Sequence, residues 1–80
     1  MEKLLELRDK LDVIDEQIVD LYEKRMAICE EVGNIKIDAG RKIFDKQREK
    51  EKLATVTANA KDDFHKKGIS ELFEQLMSMS

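Results

Sequence analysis

From Leu4 onward the apolar residues step by three and four with hardly a gap: Leu4, Leu7, Leu11, Ile14, Ile18, Leu21, then Arg25, then Ile28, Val32 and Ile35. That spacing describes one face of a single long amphipathic helix, whose apolar seam must pack against other helices. The helix is predicted to run from about Lys3 to about Ala39 and to stop at Gly40, a residue able to take the left-handed conformation that follows many helix ends. At roughly 1.5 Å per residue it is about 55 Å long. A chain of 80 residues has too little else to cover such a seam, so a second copy is expected to lie along it as a homodimer. Arg25 is the one interruption. A buried cation without a partner costs several kcal/mol or so, so an anionic group is expected to meet it. An intrachain Asp or Glu, or a side chain that snorkels to the rim, would satisfy it equally well at this level.

The rest of the composition agrees with an all-α fold. There is no proline, only three glycines, and an abundance of Leu, Ile, Glu and Lys. Fifteen Lys and Arg face 18 Asp and Glu, and the two signs are interspersed, so no broad electrostatic footprint for DNA or RNA is present. Cys29 is the single cysteine, which excludes an internal disulfide, leaves no thiol set for a structural zinc, and fits a reducing cytoplasm. No run of eighteen apolar residues exists, and the N-terminus opens directly on the amphipathic pattern; neither a membrane span nor a secretory signal is expected.

After the short basic connection Gly40, Arg41 and Lys42, the residues Ile43 and Phe44 lead into a second helix, expected over about Asp45 to Asn59. Asp45, Arg48, Glu49 and Lys52 lie three or four residues apart and share a face, which could present charge to a ligand or to water. Ala60 to Gly68 reads as a frayed helix end and loop, with His65 a solvated turn histidine. Ile69, Leu72, Phe73, Leu76 and Met77, continued by Ser80, mark the apolar face of a third helix. Gly33 falls inside the first helix, where it costs about 1 kcal/mol relative to Ala. Close approach by another backbone or a ligand, or simple tolerance, would explain it.

Reach limits what the cations of the first helix can touch together. Lys36 follows Arg25 by about three turns, so the two share nearly one face with some 16 Å between their backbones, close enough for a small dianion between their tips. Arg8 lies about 42 Å from Lys36 along the axis and cannot join the same ligand within one chain. If Arg8 contributes, another subunit supplies it; an antiparallel two-fold pairing of the long helices would create two shared sites per dimer.

The segments Leu7-Arg8-Asp9-Lys10, Ile14-Asp15, Glu23-Lys24-Arg25, Glu31-Val32-Gly33-Asn34-Ile35-Lys36, and Asp45 with Arg48-Glu49 carry a resemblance. Together and in this order they resemble the all-helical chorismate mutases along essentially the whole chain. The resemblance implies three helices per chain, one of them very long, interlocked as a homodimer. It implies an isomerase of aromatic amino acid biosynthesis that rearranges chorismate, a dicarboxylate, to prephenate by an intramolecular Claisen-type reaction without metal or cofactor. By the same resemblance, Arg25 and Arg8 from the partner would bind the carboxylates, and Lys36 would donate to the ether oxygen and a carboxylate. Arg48 would add to the cationic wall, Asp45 through its backbone and Glu49 would receive the ring hydroxyl, and Ser80 would contact a substrate carboxylate. The alternatives are a helical dimerisation module without a substrate, or a ligand-sensing domain that regulates an attached enzyme.

Two positions depart from the family pattern. Lys42 stands where the family frequently has a proline. The family also places a glutamine one further turn along the third helix, where it aids Lys36 at the ether oxygen, whereas this chain stops at Ser80. The resemblance therefore implies a mutase domain over 1–80 that is cut short at its C-terminal end, an excised portion of a longer aromatic-pathway enzyme, with reduced activity as it stands.

Overall fold

The structure, a computed structural model, describes residues 1–41 and 45–79. The expectations that fall on Lys42, Ile43, Phe44 and Ser80 lie outside the described residues. Three helices follow one another: α1 (Glu2–Asp38), α2 (Lys46–Thr57) and α3 (Asp63–Met79). The chain divides into two units, Met1–Val32 and Gly33–Ser80.

The first unit is the long N-terminal part of α1. Its continuity follows from thirty-odd residues without proline or glycine, from an abundance of Leu, Glu and Lys, and from one i,i+4 pair in the favourable order, Asp20 before Lys24 at 3.0 Å. That pair is exposed and contributes a few tenths of a kcal/mol. The apolar seam is where the period places it, and it is uncovered: Leu11 is 56% exposed, Ile18 56%, Leu21 63% and Ile28 60%. Among the described residues no apolar side chain is buried.

In the second unit α1 ends as the sequence predicts. Gly40 adopts φ 69°, the Arg41 N–H donates to Lys36 O at 2.7 Å, and the Gly40 N–H donates to Ile37 O at 3.0 Å. This is the Schellman arrangement, in which a left-handed residue lets two orphan carbonyls of the last turn find donors. A Cβ at Gly40 would meet no atom of the described residues within 4 Å, so among them the cost of replacing it by alanine is conformational. Gly40→Ala is expected to destabilise the folded protein by about 1–2 kcal/mol, read from urea midpoints at constant m-value.

α2 begins at Asp45, whose extended backbone (φ −129°, ψ 98°) and carboxylate make it the N-cap: Oδ1 accepts from the Arg48 N–H at 3.0 Å. The expected second helix therefore loses one residue at its start, and it also ends earlier, at Thr57. Thr57 is the one buried residue among those described, and its hydroxyl is satisfied by donation to Leu53 O at 2.7 Å. α2 and α3 pack on one another. Their less exposed positions are Leu53 and Val56 on α2 and Ile69, Phe73, Leu76 and Met77 on α3, so four of the five apolar positions anticipated on the third helix are half-covered, while Leu72 remains 54% exposed.

The stretch from Asp63 to Gly68 corrects the sequence reading. It is the first part of α3 and not a loop, and His65 sits in the first turns of a helix. The cause is a cap. The Asp62 carboxylate accepts from the His65 backbone N–H at 2.8 Å and lies 2.8 Å from His65 Nδ1, while Asp62 O accepts from the Lys66 N–H at 2.9 Å. Phe64 and His65 add an edge-to-face ring contact at 5.5 Å. The hydrogen bond from the His65 N–H, followed by that from the His65 ring, lowers the Asp62 carboxyl below the usual aspartate value. A carboxyl lowered on folding stabilises the helix start at all pH above its unfolded pKa, and that contribution disappears as pH falls through the folded pKa. We expect the His65 amide resonance to titrate with a midpoint below about 3.9, the ordinary aspartate value. A midpoint at or above that value would remove Asp62 as the cap.

Candidate active site

Arg8 and Arg25 both lie in the first unit on one uninterrupted helix. At about 1.5 Å per residue they are about 25 Å apart along its axis. Two side chains of about 6 Å reach cannot grip one small ligand across that span, so the first unit does not bring them together. Arg8 is exposed, whereas Arg25 is half-buried. The position that breaks the apolar seam is thus better covered than the apolar positions on either side of it. Tyr22, Met26 and Cys29 are half-buried as well, so the covered stripe is displaced a little around the helix from the apolar seam. Arg25 Nη1 donates to Cys29 Sγ at 3.7 Å. The sequence bears on that thiol only through disulfides, zinc and redox compartment; the signal for its contact with Arg25 is the i,i+4 spacing.

Lys36 belongs to the second unit, in the last turn of α1. It is half-buried, and its carbonyl anchors the Gly40 turn. Its backbone is therefore fixed by the C-cap, and the turn chemistry at Gly40 bears directly on where this cation stands. Gly33, half-buried, has no atom of the described residues within 4 Å of the place where a Cβ would sit, so nothing among the described residues requires a glycine there.

Asp45, Arg48 and Glu49 are brought together by the first turn of α2. The Asp45 carboxylate is committed to the Arg48 N–H, and the Asp45 carbonyl accepts from the Glu49 N–H at 3.1 Å. The cap thus holds the backbone of all three in one turn, with Arg48 exposed and Glu49 half-buried. Cations with a neighbouring carboxylate acceptor suit an anionic ligand that also carries a hydroxyl.

The chorismate mutase type II family matches residues 7–80. The chain belongs to that family. A solved structure, chorismate mutase (form I) from Thermus thermophilus, superposes with a TM-score of 0.90 at 27% identity, covering 96% of each chain. A chorismate mutase of Methanocaldococcus jannaschii is 42% identical over 50 residues, which is 62% of this chain and 50% of that protein. A T-protein of Enterobacter agglomerans is 38% identical over 53 residues, 66% of this chain and 14% of that protein. A 3-dehydroquinate dehydratase of Pyrobaculum aerophilum is 40% identical over 47 residues, 59% of this chain and 16% of that protein. The chain thus spans half or less of the length of these curated relatives. Family membership accounts for the three-helix all-α architecture read from the sequence.

Proposed function

We propose that the chain is a chorismate mutase, an isomerase that converts chorismate to prephenate in aromatic amino acid biosynthesis, in the cytoplasm. The observation that carries the reading is the family match over residues 7–80, a span that contains Arg8, Arg25, Lys36, Arg48 and Glu49. The names of the relatives support the pathway.

The rearrangement is unimolecular, and its demands are geometric and electrostatic. The enolpyruvyl ether must be held folded over the ring, and negative charge that grows on the ether oxygen must meet donors already in place. Arg25, with Arg8 of the partner subunit, binds the two carboxylates, to which the planar guanidinium fork is matched. Lys36 donates to the ether oxygen. Arg48 extends the cationic wall, Asp45 and Glu49 take the ring hydroxyl, and Ser80 contacts a carboxylate. Cations and hydrogen-bond donors supply this chemistry without a nucleophile or cofactor.

A homodimer belongs to the same proposal. Covering the half-exposed Leu and Ile side chains of the seam is worth on the order of 1 kcal/mol apiece, and a second α1 has the length and the apolar period to do it. It also supplies Arg8, which reach forbids within one chain. Similarity to segments of much longer proteins supports a mutase portion joined to another enzyme of the pathway. The test is chorismate disappearance, followed by ultraviolet absorbance, with purified chain. Turnover that scales with protein concentration is expected, and a rate equal to the uncatalysed one contradicts the proposal.

A further inference from the structure

We propose that Cys29 is a positioning residue for Arg25: its sulfur holds one arm of the guanidinium without neutralising the charge that a carboxylate ligand needs. This rests on the mutase reading for its consequence in catalysis, and on the geometry of α1 for its substance. Arg25 Nη1 stands 3.7 Å from Cys29 Sγ, and both residues are half-buried while Leu21, Ile28 and Val32 of the seam are exposed. Side chains on a helix lean toward its N-terminus, so a residue at i+4 is directed back over the turn that carries residue i. Cys29 is therefore placed to meet the Arg25 head from the side away from Arg8.

The identity of the residue fits the task. A guanidinium offers five N–H donors in one plane, and bidentate capture of a carboxylate uses two of them. A carboxylate at position 29 would hold Arg25 more strongly, but it would compete with the substrate and cancel the charge the site needs. A thiol is a weak, uncharged acceptor. It restricts the arginine without neutralising it, so the ligand meets a side chain whose rotamer is already chosen.

The experiment compares the wild-type chain with Cys29→Ala and Cys29→Ser, each confirmed as folded by circular dichroism. Two readouts are taken: steady-state kinetics with chorismate, and the order parameter of the Arg25 Nε–Hε group by nitrogen-15 relaxation. Arg25 binds substrate and transition state alike, so Cys29→Ala should raise KM about three- to tenfold with kcat within about twofold. The order parameter should fall in Cys29→Ala, and Cys29→Ser, which keeps an acceptor, should lie between alanine and wild type in both readouts. A merely space-filling role would leave the Arg25 signal unmoved. An unchanged order parameter in Cys29→Ala overturns the proposal, and so does an unchanged KM. If the wild-type chain fails to turn over chorismate, the mutase reading falls, and the order parameter still decides whether Cys29 holds Arg25.

Discussion

Arg25→Ala is expected to lower chorismate turnover, as kcat/KM, by roughly 30- to 5,000-fold while leaving the helices and the proposed dimer intact. The magnitude follows from removing one partner of a desolvated, charge-assisted pair, which costs about 2–5 kcal/mol. Stability should change little: Arg25 is half-buried and its hydrogen bond to Cys29 is a weak one, so its loss should cost about 1 kcal/mol or less. Kinetics, circular dichroism and sedimentation on the same preparation separate the two effects. If the variant instead unfolds, and its folded fraction retains wild-type chemistry, Arg25 is a structural residue and the site has been assigned to the wrong cation.

The residues most legible in the sequence were those whose signal is periodic or local. Ten positions from Leu4 to Ile35 at steps of three and four specified α1 almost to the residue. Gly40 specified its end, because a left-handed residue after the last turn is a requirement few others meet at low cost. The start of α3 was misread for a physical reason. Lys61 to Gly68 is polar and lacks an apolar period, yet Asp62 supplies the acceptor that the first turn of a helix needs, and a cap of this kind overrides the weak propensities that follow it. The same residue type at Asp45 sets the start of α2 and holds Arg48 and Glu49 in one turn.

The family was legible in the ordered segments that contain Arg8, Arg25, Lys36 and Arg48. How these cations would meet one ligand is not legible, because a spacing along one helix says how far apart two groups are and nothing about what lies across from them. Cys29 was missed for a related reason: its contact with Arg25 is a weak hydrogen bond, and a lone cysteine carries no sequence motif.

The central claim is that one site takes cations from two chains, Arg25 from one and Arg8 from the other. Mixing an Arg8→Ala chain with an Arg25→Ala chain tests it most directly. In a heterodimer one of the two shared sites lacks both arginines and the other has both, so a site of wild-type composition is restored. Each homodimer should be nearly inactive, since every one of its sites lacks an arginine. With heterodimers confirmed by native mass spectrometry, activity per heterodimer is expected at about half that of the wild-type dimer, far above either parent. Heterodimers that form and remain as inactive as the two parents would contradict a shared site.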